Sequence, residues 1–363
     1  MPDYHLTDAA VRPDPSAWHQ APRRLLLLAT GGTIASQSSA NGLVPTVNID
    51  ALLKYCRSAL QHYDVTARSI LQLDSSNIQP EEWRLIAGAI VREADQYDGI
   101  VITHGTDTMA YTASALSFML PGITIPVVLT GAQLPISHPL SDATENLATA
   151  LAMAARGPAG VFIAFDRQVI LGTRAVKVRT TDFHAFESIN YPLVGYVNGD
   201  GLQTDPALAP HSSAPFRLMD QLDPAVFLLK LTPGLNPDFF VLLQHLQYRA
   251  LVIEAFGIGG IHYLHRDLLE GISQIIAQGI VVVVTSQCLY ERSDFSRYET
   301  GQRVLDSGAI PAFDMTSEAC VTKLIWILGQ TRDPWQVGRW FRQNLAGELA
   351  GPLTDPAHWG QAD

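Results

Sequence analysis

Seven short runs of apolar residues punctuate the chain, at positions 25–29, 99–103, 125–130, 161–165, 226–231, 251–256 and 280–285. They are dense in Val, Ile and Leu and do not alternate with polar residues, the pattern of strands buried on both faces. Helical patterns lie between them. Pro80-Glu81-Glu82 has the chemistry of a helix start, with proline in the first turn and acids at the positive end of the dipole. Trp83, Ile86, Ile90 and Ala94 then recur at helical spacing. Residues 107–120, and a stretch within 265–278, read as further helices. Strand alternating with helix predicts a parallel α/β sheet.

That rhythm pauses at 205–223, where Pro- and Ser-rich sequence with weak periodicity reads as a linker. Four runs precede the pause and three follow it. The expected organisation is a polar N-terminal extension (1–23), an N-terminal α/β domain (24–204), a linker (205–222) and a second α/β domain (223–363). Helix-forming segments at 317–328 and 335–344 should pack on the second domain.

Composition narrows the class. The 363 residues are 47% hydrophobic and 16% charged, enough to bury large cores. Lys and Arg number 24 against 35 Asp and Glu, a net charge of −11. So acidic a surface repels phosphate backbones, and nucleic acid is not an expected partner. The cysteines Cys56, Cys288 and Cys320 are odd in number and widely spaced, which suits a reducing compartment. The first residues lack the apolar core of a secretion signal, and no run reaches the roughly 18–20 residues of a membrane helix. A cytoplasmic protein with no membrane partner is expected.

Ligands of open α/β sheets bind beyond the carboxyl ends of the strands, and polar clusters sit there. The first run leads into Thr30-Gly31-Gly32-Thr33, where two glycines allow a sharp turn that leaves the Thr33 hydroxyl at the rim. The second leads into His104-Gly105-Thr106-Asp107-Thr108 at a helix start, where free amides favour anionic groups. Asp74-Ser75-Ser76-Asn77 precedes the Pro80 helix. Each cluster, taken alone, also fits an ordinary turn or helix cap. GTRAVKVR (172–179) places three cations in six residues, the usual sign of a solvated face. A lysine in such a loop can instead activate a nucleophile. Phosphate-loop, GxSxG and HExxH motifs are absent, and Gly257-Ile258-Gly259-Gly260 meets His262 where a dinucleotide loop needs glycine. His262 and His265 lack a third ligand at any recognised metal spacing.

Taken together, these clusters resemble the bacterial-type L-asparaginases, most closely the cytoplasmic type I branch. The resemblance runs from about residue 25 to about residue 349. It is carried by TGGTIAS (30–36), DSSNIQPEEW (74–83), the HGTDTMAYTA segment within 97–120, LTGAQLPI (129–136), GTRAVKVRTTDFHAFESIN (172–190), IVVVVTSQC (280–288), YETG (298–301) and DMTSEA (314–319). It implies an N-terminal flavodoxin-like sheet and a smaller C-terminal Rossmann-like domain, with neither metal nor cofactor. It further implies that Thr33 attacks the side-chain amide of L-asparagine, with Thr106, Asp107 and Lys177 as the second catalytic group. Ser75 and Ser76 match the segment that holds the substrate carboxylate, Asp107 would pair with its ammonium, and backbone amides near Thr106 and Ala132 would face the oxyanion. A homodimer or homotetramer is expected.

Two departures matter. The family's loop tyrosine, ten residues after the nucleophile, is replaced by Leu43, which leaves Tyr298 as the candidate activating phenol. The regulatory asparagine site of some type I enzymes would use the position of Cys288, but Val176 precedes the lysine and Glu254 stands where that family has arginine. Hyperbolic kinetics are therefore expected. Mixed glutaminase activity differs by one methylene, worth only about 1–3 kcal/mol in a pocket. An amidotransferase subunit would be expected to carry a further N-terminal domain and a basic surface, and a non-catalytic sensor would not need all of Thr33, Thr106, Asp107 and Lys177.

Overall fold

Strands buried on both faces need helices on both faces, and the chain supplies them. A computed structural model describes residues 22–39, 42–45, 54–55, 57–210, 215–297 and 299–351. The larger sheet contains β1 (Arg24–Gly31), β4 (Asp64–Leu73), β5 (Gly99–Thr103), β6 (Pro126–Thr130), β7 (Gly160–Phe165), β8 (Gln168–Leu171), β11 (Gly195–Asn198) and β12 (Gly201–Thr204). Their order is β12-β11-β8-β7-β6-β5-β1-β4. A hairpin of β2 (Ser36–Ser39) and β3 (Gly42–Pro45) follows β1, and β9 (Ala175–Lys177) pairs antiparallel with β10 (Phe186–Ser188).

Alternate residues of one strand serve two cores. Leu26 and Leu28 of β1, with Ile100 and Ile102 of β5, face α1 (Pro80–Glu93) and α2 (Met109–Met119). Leu25, Leu27 and Val101 face α3 (Ala143–Arg156) through Leu147 and Leu151. Each such aliphatic side chain, fully buried, contributes about 1.5–3 kcal/mol. The unalternating runs are thus two interleaved faces.

The sheet departs from the all-parallel expectation. Strands β4, β1, β5, β6 and β7 are parallel, whereas β8, β11 and β12 add antiparallel. Among the strands not foreseen, β4 is an edge with half-exposed polar positions, and β8, β11 and β12 have four residues each. Length and polarity hid them.

The second sheet is parallel throughout, in the order β13 (Val226–Lys230), β14 (Ala250–Ala255), β15 (Val281–Ser286), β16 (Ile310–Pro311). One face packs on α4 (Leu268–Ala277), whose first turn is capped by Asp267 at the amides of Leu269 and Glu270. The other face packs on α5 (Ser317–Gln330) and α6 (Pro334–Phe341). Helix α5 also lies on α2, with Phe118 stacked on Trp326 at 6.2 Å, so one apolar core runs from sheet to sheet. Part of the expected linker is fixed in place. Met219 N donates to Met119 O at 2.9 Å, and Arg84 donates to the carbonyls of Asp220 and Leu222 at 3.0 and 2.9 Å.

Candidate active site

The parallel strands of the large sheet point their carboxyl ends to one edge, and backbone crowding there sets the site. Gly32 follows β1 with φ 79°, and a Cβ on it would overlap the backbone amide of Gly105. A Cβ on Gly105 would in turn lie 2.5 Å from Ser75 Oγ. Only glycine lets the β1 turn, the β5 turn and the Ser75 turn approach this closely. Thr33, half-buried, opens a short 3-10 turn directly after this contact.

At the β5 turn, Lys177 Nζ donates to Thr106 Oγ1 at 2.8 Å and to Asp107 Oδ1 at 2.6 Å. The Asp107 side chain is 62% exposed and that of Lys177 only 17%, so the ammonium sits beneath the carboxylate rather than in solvent. Thr106 donates to Gln133 Oε1 at 3.4 Å. The Gln133 amide is oriented by its own donor bonds to the carbonyls of Thr180 and Asp182, 3.2 and 2.9 Å. Its oxygen therefore faces Thr106. An ammonium against a hydroxyl favours the alkoxide, the state a proton-relay threonine must reach.

Ser75 is buried; its Oγ accepts from Asp107 N at 3.3 Å and its carbonyl from Thr108 Oγ1 at 2.7 Å. Thr108 occupies the N-cap position of α2 without a side-chain cap bond, so the capping reading of this polar run is not what its side chains do. The cap reading does hold for Asp74, which accepts from Ser76 N and Ser76 Oγ at 2.8 and 2.6 Å. Those bonds hold the Asp74 carboxyl below its ordinary range, and they commit the Ser76 hydroxyl proton to Asp74.

His104 stiffens the turn from below. Its Nδ1 lies 2.7 Å from Gly105 O, which can only accept, so Nδ1 carries the proton. Thr112 Oγ1 then donates to Nε2 at 2.9 Å while accepting from Trp83 Nε1 at 3.1 Å. Full burial pulls the imidazole pKa down to about 4, and it stays neutral. Ala132, also buried, lies between pinned neighbours. Gly131 O accepts from Asn146 Nδ2 at 3.1 Å, and Gln133 N donates to both Asp142 oxygens at 3.1 and 3.0 Å.

The structure thus joins Thr106, Asp107, Lys177 and Ser75 by direct bonds, and places Thr33 one residue beyond the Gly32–Gly105 contact. Tyr298 lies outside the described residues, and for Leu43 only the backbone is described, in β3. Sequence reasoning missed Gln133, Asp142, Asn146 and His104, whose roles depend on tertiary neighbours. It also misjudged the basic run 172–179: Arg174 is fully buried. Elsewhere, Glu254 accepts from Ser317 Oγ at 2.6 Å and lies 4.0 Å from Lys230, while Cys288 is exposed. Among the described residues no group of three His, Cys, Asp or Glu side chains could hold a metal ion, and no helix is long and apolar enough to cross a membrane.

Comparison with known proteins is consistent across both sheets. Residues 24–208 match the family model "Asparaginase, N-terminal" and residues 225–341 match "Glutaminase/Asparaginase C-terminal domain". The L-asparaginase of Thermococcus kodakarensis is 46% identical over 332 residues, spanning 90% of this chain and 99% of that protein. A solved structure, the thermostable L-asparaginase from the same organism, superposes with a TM-score of 0.85 at 45% identity, covering 90% of this chain and 99% of its own. A glutamyl-tRNA(Gln) amidotransferase subunit of Pyrococcus furiosus is 34% identical, over 92% of this chain and 78% of that protein.

Proposed function

We propose a mechanism on one premise: the chain belongs to the asparaginase family, and it is an amidohydrolase that converts L-asparagine to L-aspartate and ammonia. Thr33 is the nucleophile. Its Oγ attacks the side-chain amide carbon and gives up its proton, and the carbonyl oxygen becomes an oxyanion facing backbone amides near Thr106 and Ala132. Collapse breaks the C–N bond, and the departing nitrogen takes a proton to leave as ammonia. Water then attacks the aspartyl ester; as Thr106 Oγ1, held by Lys177, takes the water's proton it releases its own, which ends on the departing Thr33 oxygen, so that aspartate leaves and Thr33 is restored. Asp107, exposed at the mouth, takes the substrate ammonium, and the Ser75–Ser76 turn takes the α-carboxylate. Tyr298 is the candidate phenol that activates Thr33.

One observation carries this reading. Lys177, from a strand about seventy residues further along the chain, donates at once to the hydroxyl of Thr106 and the carboxylate of Asp107. A capping or turn-forming role for Thr106 and Asp107 does not call for a half-buried ammonium there. We further assign residues 24–204 as the catalytic domain and the protein to the cytoplasm, as a homodimer or homotetramer. The amidotransferase reading is weaker, because identity is lower and a smaller share of that relative is covered.

Thr33→Ala is the test. It removes one half-buried hydroxyl, so stability should hold within about 1 kcal/mol while ammonia release from asparagine falls by more than about a hundredfold. A folded variant that keeps more than about a hundredth of wild-type kcat ends the covalent mechanism.

A further inference from the structure

We propose that Arg174 is a positioning residue for Lys177, through which the C-terminal domain sets the geometry of the reaction; this rests on Lys177 taking part in it. Lys177 is the last residue of β9, a three-residue strand paired only with β10 among the described residues, in register Ala175–Ser188, Val176–Glu187 and Lys177–Phe186. So short a ladder does not fix its own orientation. Both of its strands are pinned at the same end, and by the other domain.

Arg174, immediately before β9, is fully buried, and its side chain donates hydrogen bonds to the C-terminal part of the chain. Nη1 donates to the Asp314 carboxylate at 2.9 Å and to the Asp314 carbonyl at 3.1 Å, and Nε donates to Gly347 O at 2.7 Å. Asn190, just past β10, donates to the same Asp314 carbonyl at 3.1 Å and accepts from Glu291 N at 2.7 Å. Asp314 is itself fixed, accepting from Ala350 N at 3.2 and 3.1 Å. The Gly347 loop is held in turn by Lys323 and Glu348, an ion pair with no exposed side-chain surface. Lys177 therefore projects toward Thr106 from a base clamped by residues 314 and 347, about 10 Å of strand away.

Stability does not account for this arginine. Its Nη2 is buried with no hydrogen-bond partner among the described residues, and the guanidinium lies over the Tyr191 ring, 5.2 Å from the centroid. Replacing an incompletely satisfied buried ion pair as a whole by apolar residues is often without loss, whereas removing Arg174 alone leaves the Asp314 carboxylate buried without its cation. What an apolar side chain cannot do is hold β9 by two directional bonds to Asp314 and one to Gly347. A displacement of about 1 Å at a reacting group costs about a hundredfold in rate.

A double-mutant cycle tests the assignment. Arg174→Met leaves Asp314 without its cation and should lower the urea midpoint. In the folded protein it is expected to lower kcat about 10- to 100-fold, with a smaller change in KM because the substrate reaches Lys177 only through Asp107. Placed in a Lys177→Met background, it should lower the residual rate no further, since its effect passes through Lys177. Equal factors in both backgrounds, or an unchanged kcat in the single variant, would overturn the proposal. If Lys177→Met alone keeps wild-type kcat, the catalytic assignment of Lys177 fails first, and this inference falls with it for a reason the cycle identifies. Should Arg174→Met not fold, Asn190→Ala in the same cycle reads the second pin of the same ladder, with the same expected pattern at smaller size.

Discussion

Beyond β5, His104, Gly105 and Thr106 are buried as neutral groups, the two side chains bonded to close neighbours, and the exposed charge there is Asp107 at the mouth. The second domain does the reverse. Lys323 and Glu348 are buried as an ion pair, Lys323 donating further to the carbonyls of Phe341 and Gln343. The Tyr111 phenol, on α2, is pushed up to about 12 by burial first and then by the charges of Glu318 and Glu254 from the second domain. At the β5 turn the ion pair opens at the surface through Asp107, above a mostly covered Lys177; in the second domain the Lys323–Glu348 pair is wholly enclosed. Neutral burial of His104 holds the β5 turn in place without adding a charge to it. Enclosed ion pairs, being directional, hold a loop in one shape.

The largest expected effect pits the two regions against each other. Lys323→Met strands Glu348 in the core and should cost about 3–5 kcal/mol, read as a lowered unfolding midpoint in urea. Thr106→Ala should move that midpoint little while removing most turnover. If both variants lose stability alike, the division between the regions is wrong.

Next in size is a pair of opposed pH slopes. His104 is held to about 4 in the folded chain against 6.5 free, so the unfolded state alone binds its proton between these values. That contribution favours folding above pH 6.5 and is lost as pH falls to 4. Glu318 is raised from 4.5 to about 7, by burial first and then by Glu254. Its contribution is full below pH 4.5 and is lost as pH rises through 7. Each amounts to about 3 kcal/mol, and between about pH 4.5 and 6.5 they offset. Urea midpoints of Glu318→Gln should therefore rise with pH across that window, and those of His104→Gln should fall. Matching slopes in the two variants would show that His104 and Glu318 do not act on stability in opposite senses.

The smallest effect is an expected absence. Glu254 would place a carboxylate against the carboxylate of any asparagine bound beside it, and two such anions repel. Asparagine kinetics should be hyperbolic, with a Hill coefficient of about 1. A sigmoidal curve abolished by Cys288→Trp would show that the second domain does bind substrate.

How much of this was legible depends on how local each signal was. Runs such as 25–29 and 99–103 announced buried strands because both faces are covered. Strand β4 did not, since one edge faces solvent and its residues answer to no single period. Thr33, Thr106, Asp107 and Lys177 stood out once their separate motifs were taken together. Arg174 did not, because a cation among cations reads as surface, and the Asp314 that encloses it lies 140 positions away. Gln133 was visible only as part of a motif, since its role depends on the carbonyls of a different loop. The polar stretch near 220 read as a tether; the carbonyls that Arg84 gathers there belong to a packed segment.

The core that passes from α2 to α5 has a consequence for synthesis. The residues that cover Phe118 and its neighbours on α2, Trp326 among them, leave the ribosome some two hundred positions later. At translation rates of about 5–20 residues per second, the finished large sheet waits tens of seconds or less with an apolar flank bare. The nascent chain is therefore vulnerable to aggregation during that interval, and a C-terminal truncation before residue 326 would make the interval permanent. Premature termination should produce insoluble protein rather than a smaller enzyme.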